Sequence, residues 1–384
     1  MRTLLGVVAV VLALPGVVTA AHLTALTVAS FFYREKRPDS PQPAAFLIVI
    51  PARNEETVIR DTVDAVQRER RPADIVLVAA DRCTDRTAEI ARDMGAEVLE
   101  RPNGAPPGRA ASIRDAVACA NDREWDALVM IDADSVVGPG YFDACERALA
   151  AGVAVAQTRS ESVADARFFA QTSVVASSLQ GVTVPRGQEM LRCSVRLKGS
   201  GTMVRRDVLA RVPLAASGAS ESTLYGLDLT LAGVKGHHID DARLRFATAG
   251  TLRAAGGQRL RWESGRLFIA SRYLGRLLKA RTWPALESAV FLATPPFAVA
   301  ALLLCIGIGL TALAGWFGVA IVLSIVLAFL AADVVVALLQ ARAGVRTWLA
   351  LAAAPTYILW KGWIQLKALR NVRAADQAYE PTPR

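Results

Sequence analysis

The sequence predicts an α/β domain with a mostly parallel sheet, flanked by transmembrane helices. Three observations carry that expectation. Strand-length apolar runs alternate with helical spacings between residues 46 and 266, several of those runs end in acids, and long apolar blocks bracket the alternating region. Such alternation implies parallel strands joined by helices on both faces of a sheet. The chain has 384 residues, 53% of them apolar, and a positive mean hydropathy. That balance fits a soluble domain of roughly 250 residues plus a few spans.

Residues 4–32 are almost wholly apolar and run into "YREKR". A cleaved leader is the competing reading, because "VVTAAH" offers small residues. However, the stretch is longer than a leader's apolar core, and its basic cluster follows rather than leads. The excess of positive charge then places residue 33 onward in the cytoplasm. Two further blocks, 289–313 and 316–339, are each long enough to cross about 30 Å of hydrocarbon, with "TALAGWFG" as an external turn between them. A fourth piece, 348–360, is short, contains Pro355 and precedes the basic "KGWIQLKALRNVR". Its charge favours a re-entrant or interfacial segment over a fourth span. The expected division is an N-terminal span over 1–33, a cytoplasmic domain over 34–257, an amphipathic interfacial segment over 258–287, two spans within 288–340, and the short apolar segment with its tail over 341–384.

In the sheet region, "AAFLIVIPARNEE" reads as a buried strand entering a polar loop, and "TVIRDTVDAVQRE" has helical spacing. "ADIVLVAADRCTDRTAEIARDMGAEVLERP" reads as strand, loop, helix and strand, and "DALVMIDADS" as a further strand ending in acids. Open α/β sheets bind ligands beyond the carboxyl ends of their strands. Asn54, Glu55, Asp81, Asp132 and Asp134 all fall at such ends. Strand alternation would send Asp132 and Asp134 to one side, with Ala133 between them. Paired carboxylates suit a hard divalent cation able to bridge a diphosphate; taken alone, the same pair could be an ordinary polar strand end. Neither GxGxxG nor GxxxxGK[ST] occurs, which leaves out a dinucleotide fingerprint and a P-loop.

Composition narrows the chemistry further. Five scattered cysteines form no CxxC pair, so neither a disulfide framework nor a zinc site is expected. With three histidines, at 22, 237 and 238, histidine-based catalysis is not expected either; His237 and His238 read as loop residues. Cys83 lies near a ligand-side loop but reads as a packed thiol. The net charge of +9 is assigned to an anionic membrane surface and not to nucleic acid, because the arginines cluster beside the apolar segments.

The motifs "VIPARNEE", "VAADRCTDRTAEIARDMGAEVLERP", "DALVMIDADS", "RLKGSGTMVRRDVL" and "QRLRWESGR" cover most of 46–266. Together they resemble the family 2 glycosyltransferases, inverting enzymes of GT-A fold that use nucleotide-sugar donors. The resemblance is closer to the membrane-bound bacterial branch that includes cellulose and hyaluronan synthases. It implies an enzyme of the inner membrane, multi-pass, with a cytoplasmic catalytic domain and bound Mg²⁺ or Mn²⁺. It also implies a polysaccharide or lipid acceptor. By the same resemblance, Glu55 and Asp81 hold the nucleoside, Ala52 and Arg53 line its pocket, Asp132 contacts the donor nucleotide and Asp134 the metal. Gln258, Arg261 and Trp262 of the QxxRW motif would lie beside the diphosphate and the acceptor end. An arginine suits a diphosphate, and a tryptophan face can stack on a sugar ring.

Two positions depart from the family. A lysine of a "GKG" stretch is replaced by Arg109 in "PGRAAS". The family's Glu-Asp pair, whose aspartate is the general base, aligns on Glu221 and Ser222. Asp228 lies six positions further on, turned by a net 240° or so and about 9 Å along a helix, so it would face elsewhere. Glu221, with one more methylene of reach, is the better candidate base. A second reading keeps nucleotide and metal binding but makes the chain a weak or inactive relative that partners an active synthase. A transporter is the least supported class, since Asp333 is the one acid within a span.

Overall fold

The computed structural model describes residues 1–35, 43–163, 168–214, 221–247 and 252–370. Helix α1 (Arg2–Ser30) comes first. The sheet domain then opens with β1 (Phe46–Ala52), α2 (Ile59–Glu69), β2 (Ile75–Asp81), α3 (Thr87–Asp93), β3 (Glu97–Arg101), α4 (Arg109–Cys119) and β4 (Ala127–Met130). It continues through β5 (Ser135–Val137), α5 (Tyr141–Ala150), β6 (Val155–Val163), α6 (Phe168–Ser178), a π-helical turn at Leu179–Thr183, and α7 (Val184–Met190). β7 (Thr202–Arg205), α8 (Arg206–Arg211), α9 (Glu221–Leu231) and β8 (His237–Ala247) complete it.

The eight strands form one sheet in the order β3-β2-β1-β4-β7-β6-β8-β5. β3, β2, β1 and β4 run parallel; β7 pairs antiparallel with both β4 and β6. β8 then lies parallel to β6, with β5 antiparallel at the edge. Alternation along β1 divides the core. Phe46, Ile48 and Ile50 pack with α2, α3 and α5 through Ile59, Val63, Ala91 and Phe142. Leu47 and Val49 pack on the other face with α4, α8 and α9 through Ile113, Val208 and Leu229. Being covered on both faces is what makes β1 and β2 continuous apolar runs.

Beyond the sheet come α10 (Leu252–Ala280), α11 (Trp283–Ala293), α12 (Phe297–Leu313), α13 (Phe317–Gln340), α14 (Val345–Leu349), a 3₁₀ turn at Ala350–Ala353, and α15 (Ala354–Arg370). Helices α1 and α13 are long and apolar enough to cross a membrane, and α11 with α12 would make a third span if that bent pair is one. The apolar block expected over 289–313 is thus divided: α11 and α12 meet at 60°. Pro295 and Pro296 lack the N–H groups that would carry one helix through. Pro355 sits in the first turn of α15, where a missing N–H costs nothing, so the chain is helical again over Ala354–Arg370; the rest of the basic tail lies outside the described residues. Lys361 of α15 is buried against Glu263 of α10 at 2.6 Å. Asp333 accepts a hydrogen bond from Thr24 of α1 at 2.9 Å, which joins α13 to α1.

Candidate active site

The carboxyl ends of β1, β2 and β4 lie side by side and position the strand-end residues. After β1, Asn54 adopts a left-handed backbone, with φ of 54°. Its Oδ1 accepts from Thr84 N at 2.8 Å, and Glu55 N donates to Thr87 Oγ1 at 2.8 Å. These bonds lace the β1 loop, with Ala52 and Arg53 at its root, to the β2 loop. Burial pushes the Cys83 thiol up, consistent with a packed cysteine that donates to Ala52 O at 3.6 Å.

Asp81 ends β2, is 4% exposed, and stands opposite Arg101 in the β2–β3 register. Arg101 bonds Asp81 directly, and Arg82 adds a second pair at 3.0 Å. The same Arg101 reaches Asp115 at 2.7 Å and Pro106 O at 2.8 Å, which fixes the loop leading into α4. Sequence reasoning missed Arg101. Its only signal was an arginine closing a strand beside a strand that ends in aspartate.

β4 stops at Met130, so Asp132 and Asp134 sit on a turn closed by Ser135 N donating to Asp132 O at 3.0 Å. They are not on the strand itself. Ala133 is nonetheless buried between them, its carbonyl accepting from Thr62 at 2.7 Å, and the two acids remain part-exposed. Asp132 Oδ1 accepts from Arg109 Nε at 2.7 Å, and Asp132 N donates to Ser200 Oγ at 3.0 Å. Among the described residues, no group of three or more His, Cys, Asp or Glu is arranged to hold a metal ion by itself. One or two hard carboxylates, with substrate phosphates and water completing the shell, are what Mg²⁺ or Mn²⁺ accepts. The donor set therefore fits such an ion.

The loop 198–201 reaches over this turn because Gln157, fully buried, holds it. Gln157 Oε1 accepts from Lys198 N at 2.8 Å, and its Nε2 donates to Ser200 O at 2.8 Å. Gly199 has φ of +104°, and a Cβ there would lie 3.1 Å from Ser222 Oγ and 3.5 Å from the Arg109 guanidinium. Glu221, at the start of α9, accepts from Ala110 N at 2.9 Å. Its carboxylate therefore rests on the N-terminus of α4. Gln157 and Ser200 were also missed, since nothing in the sequence ties them to the acids.

The structure thus brings Arg109, Asp132, Asp134, Glu221 and Ser222 together beside the ends of β1 and β2. Trp262 lies on α10 and is 49% exposed, with the Arg259 guanidinium 5.4 Å from its ring centre. Gln258 and Arg261 lie on the same helix, but their side chains fall outside the described residues. Asp228 accepts from Tyr273 of α10 at 2.8 Å. His237 and His238 open β8 and are not in a loop; His237 pairs with Glu189 at 2.9 Å.

The family model described as "Glycosyltransferase like family 2" matches residues 41–265, the region that holds Asp81, Arg109, Asp132, Asp134, Glu221, Ser222 and Trp262. The chain belongs to the family 2 glycosyltransferases. Among solved structures, the transferase is similar to the mannosyltransferase PcManGT from Pyrobaculum calidifontis, determined with GDP-Man and Mn²⁺. The two are 16% identical, with 96% of this chain and 99% of that one covered at a TM-score of 0.56. Glucosyl-3-phosphoglycerate synthase from Mycobacterium tuberculosis is 21% identical over 58% of this chain and 76% of its own, at 0.42. TarS of S. aureus is 14% identical over 64% and 42%, also at 0.42. No curated protein matches the transferase in sequence. Membership of the family, shown by the model over 41–265, makes its activity glycosyl transfer from a nucleotide-sugar.

Proposed function

We propose that the chain is an integral membrane, inverting glycosyltransferase. Its donor is a nucleotide-sugar, with UDP-sugars the first to test, and its acceptor is a polysaccharide or lipid at the cytoplasmic face of a bacterial inner membrane. The observation that carries this reading is the turn bearing Asp132 and Asp134, pinned by Arg109 and Ser200 beside the buried Asp81. The apolar lengths of α1 and α13 support membrane integration.

In this reading Ala52, Arg53, Glu55 and Asp81 hold the nucleoside, while Arg109 and Asp132 orient the diphosphate. Asp134 would hold Mg²⁺ or Mn²⁺, which supplies charge neutralisation at the departing diphosphate when bound. An acceptor oxygen attacks C1 from the face opposite the leaving group; the C1–O bond to the nucleotide breaks and the anomer inverts. Gln258, Arg261 and Trp262 on α10 would meet the diphosphate and the incoming acceptor. Glu221 anchors α4, and with it Arg109, through the Ala110 amide.

A second reading, a weak or inactive relative that partners an active synthase, rests on Ser222. Nucleotide release by the detergent-purified protein, over UDP- and GDP-sugars with Mg²⁺ or Mn²⁺ and then with chelator, separates the two. Release of one nucleotide, abolished by chelator and lowered at least about 100-fold in Asp134→Ala, is the expected result. Nucleotide binding without release, with lipids added, would establish the second reading instead.

A further inference from the structure

The sheet edge farthest from β3 carries a groove whose lining shares no residue with the site above. It has a volume of about 510 Å³ and is lined by Arg147 of α5 and by Asp241, Arg243 and Arg245 of β8, together with the apolar Val136 and Pro139. Val136 of the edge strand β5 is 38% exposed. Residues 241, 243 and 245 share one face of β8 by strand alternation, while Ala242 and Leu244 between them are buried in the core. The guanidiniums are loosely held. Arg147 meets Asp241 at 3.7 Å with both side chains part-exposed, and Arg245 meets Glu161 at 3.7 Å while 66% exposed. Exposed pairs of that kind contribute little and exchange readily. Arg243 makes no ion pair among the described residues. The groove therefore offers three forked donors to an anion, against the one carboxylate in its own lining.

The strand that carries these arginines is held to the apolar helices. Near the exit of α1, Glu35 accepts from Asp240 N at 3.0 Å and from Asp241 N at 3.3 Å. At the other end of β8, only residues 248–251 separate it from α10, where arginines interleaved with bulky apolar residues suit a bilayer interface. Arg243 lies two residues beyond Asp241, about 7 Å along the strand. Resting on the membrane integration proposed above, we propose that the groove seats the headgroup of an anionic phospholipid from the cytoplasmic leaflet. The phosphate oxygens take the donors of Arg147, Arg243 and Arg245, while Val136 meets the glycerol and upper acyl carbons. The lipid is held and not consumed, so no covalent bond forms or breaks. A peptide fits less well, because β5 has three residues and presents too short an edge for an added strand. A lipid bound there fixes the height at which the sheet edge, and the Asp132–Asp134 turn that leads into β5, rides on the bilayer.

Full-length protein in a neutral detergent is titrated with phosphatidylglycerol or phosphatidylcholine, and bound lipid is counted by native mass spectrometry. Phosphatidylglycerol should bind at least about tenfold more tightly, and the preference should disappear when Arg147→Gln, Arg243→Gln and Arg245→Gln are combined. Lysine at the same three positions should keep most of it, with Tm as the check on folding of each variant. Arg92→Gln with Arg123→Gln removes two exposed arginines paired with β3, at the opposite edge of the sheet, and should leave the preference unchanged. Equal binding of the two lipids by the unmodified protein overturns the proposal. An equal loss in the β3-edge variant does so too, since net charge alone would then explain the binding. Displacement of the lipid by equimolar glycerol 3-phosphate or hexaglutamate also overturns it, and assigns the groove to a soluble ester or an acidic peptide. Alkaline carbonate treatment of vesicles carrying the protein separates this idea from the one beneath it. Extraction of the protein sinks the membrane reading, whereas retention without a lipid preference sinks this proposal alone.

Discussion

Asp81 and Arg101 make up one buried ion pair at the root of the proposed donor site, with Arg82 and Asp115 on its flanks. Removing a charge from such a pair leaves its partner buried and uncompensated, which costs about 3–5 kcal/mol. Asp81→Asn is accordingly expected to lower the denaturant midpoint of the detergent-solubilised protein by that order, with weaker nucleotide binding as a second effect. A change below about 1 kcal/mol would mean that Arg82 and Asp115 suffice to hold Arg101. Asp132 differs from Asp81: its side chain is 37% exposed and, among the described residues, pairs with Arg109 alone, which leaves it open to the diphosphate of the proposed donor.

Glycines set close contacts between helices and loops, Gly199 and Gly187 among them. Gly199 lets the 198–201 loop take φ of +104° while Ser222 and Arg109 approach it. Alanine there would be strained in backbone and crowded by Ser222 Oγ. Gly199→Ala should lower sugar transfer at least about tenfold while the fold survives, since the loop moves away from Asp132; unchanged kinetics would show that the loop does not shape the site. Gly187 of α7 lies against α1, where an added Cβ would sit 2.1 Å from Leu26 O. That is backbone, so α1 itself must move. Gly187→Ala is expected to destabilise the protein by about 1–3 kcal/mol, visible as a lower Tm. No change in Tm would indicate that α1 slides freely on α7.

At the scale of the whole molecule, two polar clusters tie the apolar helices to the sheet domain. Glu287 of α11 accepts from His22 of α1 at 3.1 Å, from Gln188 of α7 at 3.1 Å and from Arg196 at 2.9 Å. Near the end of α1, Glu35 accepts from Asp240 N at 3.0 Å and Asp241 N at 3.3 Å, and Tyr33 donates to His238 O at 3.1 Å. Burial, and then Asp241, pushes Glu35 up to about 7. Burial alone would raise Asp240 too, but His238 and Arg186 outweigh it and hold that carboxyl below the usual range. Because folded Glu35 keeps a proton that the unfolded chain releases near 4.5, its contribution to stability falls as pH rises from about 4.5 to about 7. The loss is about 2 kcal/mol after allowance for partial exposure. Glu35→Gln should flatten the pH dependence of the unfolding midpoint over that interval, whereas Asp240 acts below it; an unaltered slope would remove Glu35 as its source.

The sequence by itself determined the parallel strands β1 to β4, the acids beyond their ends, and the apolar helices α1 and α13, but not β5, β6 or β7. Each is written in local periodicity: a buried strand must be apolar throughout, and a span must be apolar for its length. The two prolines at 295 and 296 were in view as well, but apolar length does not register a lost N–H, so one block became two helices. What only the tertiary structure decided is which groups meet. Arg101 joins Asp81 across 20 residues, and Glu221 joins the α4 amide across 111. Ser200 joins Asp132 across 68. Contacts between segments so distant leave no periodic trace in the chain. They arise when two strands or helix ends are packed side by side and each buried polar atom must find a partner.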